Sequence, residues 1–134
     1  MACAEIVDAK LAVATRQPDA LQRVSRLDSL MLSGPAVGDA GTYAHIVIAQ
    51  LYERLGHPDR ALAAIRRRVY MAGWPRYLAT ARREEGRLAL ALGDRQGAME
   101  VLGRYLALRK DPEPGLRAAV EAVRAEISEL SRRR

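Results

Sequence analysis

Apolar residues recur three and four positions apart along most of the chain, and glycine, proline and small polar clusters interrupt the pattern at intervals. That period predicts helices, and nowhere does the strict alternation of a half-buried strand occur. The first predicted helix runs from Ala4 to Thr15, with Ile6, Ala9 and Val13 on one face. Gln17-Pro18-Asp19 ends it, and Pro18 suits the first position of a second helix because its missing N–H would have no helical partner there. The second helix carries Leu21, Val24, Leu27 and Leu30 or Met31 inward and stops before Ser33-Gly34-Pro35. Ser33 to Gly41 holds three glycines and a proline, which makes it the longest predicted loop.

Thr42 stands where an N-cap is expected, and a third helix follows to Leu55, stopped by Gly56. His57-Pro58-Asp59 repeats the earlier punctuation and opens a fourth helix with Leu62, Ile65 and Val69 inward, ending near Gly73. Trp74-Pro75 starts the fifth, which carries Leu78, Ala81, Glu85, Leu88, Ala89 and Leu92 to a stop at Gly93. Asp94 is a suitable N-cap for the sixth, whose inward set is Ala98, Val101, Leu102, Tyr105 and Leu108. Asp111-Pro112-Glu113-Pro114 is a rigid break. The last helix places Leu116, Val120, Val123, Ile127 and Leu130 on one side and Arg117, Glu121 and Arg124 at spacings that allow ion pairs on the other.

Seven helices could form a bundle, so the deciding feature is whether they recur in pairs at a fixed step. Ile48-Ala49, Tyr52, Gly56, Ala61 and Ile65 align with Glu85-Gly86, Ala89, Gly93, Ala98 and Leu102. The interval from Gly56 to Gly93 and from Ala61 to Ala98 is 37 residues in both cases. A weaker copy places Asp8, Ala20 and Val24 ahead of them, with Thr15 at the place of the stop glycine and 41 residues from Ala20 to Ala61. Small side chains at Ala49 or Gly86 and at Ala61 or Ala98 let paired helices approach closely. Larger groups at Tyr52, Ile65 and Leu102 fill the space between one pair and the next.

This pattern resembles the tetratricopeptide repeat, whose unit of about 34 residues has a small residue in its first helix, a turn, and a small residue opening its second. The resemblance implies an all-α fold, a right-handed superhelix of about three antiparallel helix pairs plus a C-terminal capping helix (a TPR-like α-solenoid). Residues 1–134 then form one repeat domain, with a weak repeat over 4–32, repeats over 42–73 and 75–110, and a cap over 114–132. His45 and Arg82 stand where the family has a first-helix tryptophan. Tyr105 to Pro114 (YLALRKDPEP) also resembles the C-terminal ends of bacterial multidomain signalling proteins.

Composition narrows the picture further. The 134 residues suit one compact domain, and the apolar 49% is rich in Ala and Leu with no Phe and a single Trp, which favours closely packed helices. No run approaches the roughly 20 apolar residues that a membrane span needs. Glu5, Asp8 and Lys10 within Met1 to Val13 break the pattern of a signal peptide. Cys3 is the single cysteine and has no internal partner for a disulfide, so a cytoplasmic setting is expected.

No motif for catalysis, a cofactor or a metal occurs. His45 and His57 lack companions, Glu84-Glu85 follow Arg82-Arg83 and are expected to be neutralised locally, and the glycines between Gly93 and Gly103 lack a phosphate loop's lysine. In Arg66-Arg67-Arg68, Arg68 is expected at the edge of the apolar stripe with its head near Glu84 or Glu85. The resemblance implies a non-catalytic module that binds a peptide or helix of a partner protein in a concave groove lined by the first helix of each pair. Tyr43, Ile46, Gln50, Glu53 and Arg54 fall there from one unit, and Thr80, Arg83, Arg87 and Leu90 from the next. That set suits a partner segment with apolar anchors and acidic residues. The net charge of +6 and the arginine clusters raise nucleic acid as the alternative partner. The lightly charged outer face of the first helix raises self-association.

Overall fold

The structure is a computed structural model in which residues 2–33, 38–67 and 77–132 are described. Among them are seven α-helices and no strand: α1 (Ala2–Ala14), α2 (Ala20–Ser33), α3 (Gly38–Arg54), α4 (Pro58–Arg66), α5 (Leu78–Ala91), α6 (Arg95–Leu108) and α7 (Arg117–Arg132), with a 3-10 turn at Pro114–Leu116 before the last. No described helix is long and apolar enough to cross a membrane. The chain divides into two compact units, Met1–Tyr77 and Leu78–Arg134.

In the first unit α1 packs on α2, α3 packs on α4, and α3 also lies against both α1 and α2. Its interior is built from Ala9, Ala12, Val24, Leu27, Ile48, Leu51, Tyr52, Ala61 and Ile65, all buried. In the second unit α6 packs on both α5 and α7. There Leu102, Tyr105, Val120 and Val123 form the centre, with Ala79, Leu90, Leu106 and Ile127 packed around it. Each fully buried Leu, Ile or Val contributes about 1.5–3 kcal/mol, so these inward faces are what hold helices of 9–17 residues that would be marginal alone.

The step of 37 residues carries over into burial. Ala44, Ala49, Leu51, Ala61, Ala64 and Ile65 are buried, and so are Ala81, Gly86, Leu88, Ala98, Val101 and Leu102. The crossing of α5 and α6 is so close that a Cβ at Gly86 would lie 2.5 Å from Leu102 Cδ2 and 2.6 Å from its Cγ. Any side chain at 86 would therefore have to displace Leu102.

Each pair turns in the same way. The Gly56 N–H bonds to Glu53 O (2.9 Å) and the His57 N–H to Tyr52 O (2.9 Å), while Gly93 bonds to Leu90 O (3.0 Å) and Asp94 to Ala89 O (2.9 Å). Gly56 and Gly93 both have φ of +80°, the left-handed geometry that closes a helix C-terminus in this motif. Between α1 and α2 the same two bonds run from Arg16 to Val13 O (3.2 Å) and from Gln17 to Ala12 O (2.9 Å), and Arg16 has φ of +54°.

The stop position of the first pair is thus Arg16, not Thr15. From there to Ala20 the connection is one residue shorter than from Gly56 to Ala61, because Ala20 bonds to Gln17 O, whereas Ala61 bonds to His57 O. Pro58 therefore sits in the first turn of α4, while Pro18 lies in the turn ahead of α2.

Several boundaries differ from the sequence reading. α2 runs through Ser33 and α3 begins at Gly38, so the expected loop contracts, and Thr42 lies inside α3 where it cannot be an N-cap. Adding a turn to an existing helix is cheap compared with nucleating one, even at about 1 kcal/mol per glycine. Leu92 and Leu108, expected inward, are exposed, and of the alternatives Leu30 and Met31 the first is exposed and the second half-buried. Asp94 does cap α6, its Oδ1 accepting from the Gly97 N–H at 3.0 Å. α4 ends at Arg66 with Arg67 as its C-cap, short of the expected end near Gly73, and α5 begins at Leu78 after Tyr77 with φ of +59°, later than the expected Trp74-Pro75 start. Arg68 and Val69 lie outside the described residues.

Candidate interaction surface

On α3, Tyr43, Gln50 and Arg54 are exposed along one side, at spacings of seven and four residues. Tyr43 leans on Tyr77 with ring centroids 5.1 Å apart. Glu53 is half-buried, and its carbonyl closes the turn at Gly56. Ile46 is 1% exposed, so it belongs to the core and is not an apolar anchor on the surface. One helical position turns a side chain by about 100°, and Ile46 falls on the buried side together with Val47. His45, at the place of the family's tryptophan, is also buried.

Behind this strip a polar cluster joins α2, α3 and α4. Arg67 donates through Nη2 to both carboxylate oxygens of Asp28, at 2.6 and 2.7 Å. The Tyr52 hydroxyl donates to Asp28 Oδ2 at 3.2 Å and lies 3.4 Å from Ser25 Oγ. Asp28 is buried, and the arginine bonded to both its oxygens is what makes burying its charge tolerable. Burial pushes the Tyr52 hydroxyl above its ordinary value near 10; the Asp28 carboxylate adds to the rise, and the Ser25 contact and Arg60 oppose it. Tyr52 thus reaches from the second pair onto the first, as its size suggested.

In the second unit Thr80 and Arg83 of α5 come together around a cavity of about 200 Å³. Its other walls are Ala79 and Glu84 of α5, Tyr105 at the end of α6, Arg109, Leu116 and Ala119. The Arg83 guanidinium lies over the Tyr105 ring, 5.9 Å from the centroid. Its Nη1 is buried with no hydrogen-bond acceptor among the described residues. Arg87 is exposed and tied to Glu84 Oε2, at 2.9 Å through Nη2 and 3.3 Å through Nε. Leu90 packs with the central cluster of the unit.

Comparison with family models, with curated proteins and with solved structures finds no match for the chain. The arrangement has to be read from its own chemistry. The expected neutralisation of Glu84 and Glu85 is present, since Arg82 lies 3.5 Å from Glu85 Oε2 and Arg87 holds Glu84. Similar pairs join Arg104 to Glu100, Arg124 to Glu121 and Arg132 to Glu129 along α6 and α7. Much of the arginine on these helices therefore has a carboxylate beside it. No group of three or more His, Cys, Asp or Glu among the described residues is placed to hold a metal ion.

Sequence reasoning missed Tyr105 and Arg109 as cavity residues. Tyr105 is on the inward side of α6, and Arg109 is the C-cap of that helix, two residues before the Asp111-Pro112 break.

Proposed function

We propose that the chain is a non-catalytic protein-interaction module, a tetratricopeptide-like right-handed array of three helix pairs and a closing helix, which binds a peptide or helix of a partner protein. The first helix of each pair supplies the binding face. On α3 that face is Tyr43, Gln50 and Arg54, and on α5 it is Thr80 and Arg83, with Arg87 beside them.

The observation that carries the reading is that one turn geometry recurs in all three pairs together with buried small residues at matched positions. A pair of this kind cannot cover its own apolar side, so pairs are used in series, and a series presents a continuous face to a partner. The arginine pairing on α6 and α7 lowers the cationic density that a nucleic-acid track would need.

The test begins with affinity capture by the immobilised full chain and continues with titration of the purified captured protein. The expected result is saturable binding in about the micromolar range. It should be lost on combining Gln50→Glu with Arg83→Glu while the far-ultraviolet circular dichroism stays helical. Undiminished affinity of that variant would remove the surface named here. Tighter, steeply salt-dependent binding to a nucleic-acid oligomer than to any captured protein would replace the reading with the alternative.

A further inference from the structure

We infer that the cavity between the α1–α2 turn and the end of α3 is a binding site for a phosphate monoester, held by Arg16 and Arg54. Arg16, Gln17 and Arg54 line a space of about 440 Å³ together with apolar surface from Val13, Ala14 and Leu55. The site lies within the first unit and shares Arg54 with the α3 strip, but it stands on observations of its own.

The first concerns the turn. At the left-handed position that closes each pair, Gly56 and Gly93 stand in the second and third, whereas Arg16 stands in the first at φ of +54°. A side chain in that region costs energy that glycine avoids, so nothing in the turn itself selects an arginine. Strain of this kind is kept where the side chain serves another purpose, and the Arg16 side chain lines the cavity.

The second is charge without a counter-charge. Neither Arg16 nor Arg54 has an ion pair among the described residues, and no residue lining the cavity is acidic. Asp19, three positions beyond Arg16, is engaged by Arg23 at 2.9 Å. The arginines are not consumed by the helix ends either, because backbone N–H groups already serve the carbonyls there. Ala12 O accepts from Gln17 and Val13 O from Arg16, while Tyr52 O accepts from His57 and Glu53 O from Gly56.

Charge and size select the ligand. Two guanidiniums match a group with two negative charges, and a phosphate monoester carries about −1.5 to −2 at neutral pH, where a carboxylate carries one. The half-buried Gln17 amide adds a neutral donor. About 440 Å³ lies within the roughly 300–1,000 Å³ of sites that take small molecules, so the space admits the phosphate with the organic group that bears it. Val13 and Leu55, both half-buried, offer that group an apolar wall.

The monoester can be a free small molecule or a phosphorylated side chain, and four probes separate the two sources. One is phenyl phosphate. The others are five-residue peptides, acetylated and amidated, with alanines around a central phosphoserine, serine or glutamate. Each is titrated into the full chain at about pH 7, where the monoester is mostly doubly charged, while backbone and arginine side-chain N–H signals are followed by nuclear magnetic resonance.

At least one phosphate probe should bind with a Kd of about 1 mM or below, about ten-fold or more tighter than the glutamate peptide, and shift the Arg16 and Arg54 signals. Binding should weaken as pH falls through about 6, where the second charge is lost. It should be lost in Arg16→Gly and in Arg54→Gln and persist in Arg83→Gln. Because glycine relieves the turn, Arg16→Gly should unfold at higher urea than the parent, so its loss of binding is not a loss of fold.

A tighter phosphoserine peptide identifies a phosphorylated side chain as the source, and tighter phenyl phosphate identifies a free monoester. Equal binding of those two supports the phosphate as the recognised group on either carrier. A glutamate peptide as tight as both phosphate probes, binding that survives both cavity substitutions, or no binding of either phosphate probe at millimolar concentration overturns the site.

Discussion

The pair α3–α4 and the pair α5–α6 are built on one plan but differ in how their helices are held. Both close with a left-handed glycine, bond the next N–H back to the fifth preceding carbonyl, and bury small residues at matched positions. In α5–α6 the crossing depends on having no side chain at Gly86, against which Leu102 packs. In α3–α4 the same place is Ala49, Tyr52 takes the place of Ala89, and Asp28 of α2 is held by Tyr52 and Arg67. The plan fixes the turn and the near faces, whereas the far faces are free to become a buried polar tie in one pair and a cationic cavity in the other.

The sharpest way to break the comparison is to fill the crossing. Gly86→Val should lower the unfolding free energy by about 2–3 kcal/mol in a urea titration, because its side chain overlaps Leu102, which is 1% exposed and must repack within the core. If the variant is as stable as the parent, the close approach of α5 and α6 is wrong. The polar tie comes next. Arg67→Met leaves the Asp28 carboxylate buried with neutral partners, and because Arg67 is itself about a third exposed the loss should be about 1–2 kcal/mol. No comparable loss is expected for Arg124→Met, whose pair with Glu121 is at 3.5 Å and exposed.

Gly56→Ala and Gly93→Ala sharpen the likeness, since an added Cβ meets nothing within 4 Å at either site. Each should cost about 1 kcal/mol through the backbone alone, and the two costs should agree within a few tenths. Arg16→Gly should move the other way, by about 0.5–1 kcal/mol, by relieving the same geometry in the first pair.

The smallest effect concerns pH. Because the Tyr52 hydroxyl is raised in the folded chain, its contribution is fully present below the ordinary value near 10 and is lost as pH rises through the folded value. Urea titrations between pH 9 and 11 should therefore show a steeper fall for the parent than for Tyr52→Phe.

The helices and their pairing were legible because they depend on local signals: a period of three to four, glycine stops, and Asp94 as a cap. What was not legible depends on distant residues or on small rotations. Arg16 in a left-handed turn has no signature in residue type, and the one-residue shortening before Ala20 disguised its alignment with Gly56. Asp28 and Arg67 are 39 positions apart, and no local spacing joins them. Ile46 falls in the groove of the tetratricopeptide pattern, and its burial reflects packing around α3 that periodicity does not rank. Of the cavity, Thr80 and Arg83 were visible on α5, but Tyr105 and Arg109 join them only once α6 and α7 are folded against that helix.

That one turn is made three times can be measured without any partner. Scalar couplings across hydrogen bonds, recorded on the isotopically labelled full chain, report whether a given N–H is bonded to a given carbonyl. The turn predicts couplings from Gln17 to Ala12, from His57 to Tyr52 and from Asp94 to Ala89. Couplings at two of these sites with an exposed, rapidly exchanging N–H at the third would contradict a shared unit, and with it the serial surface on which the proposed binding stands.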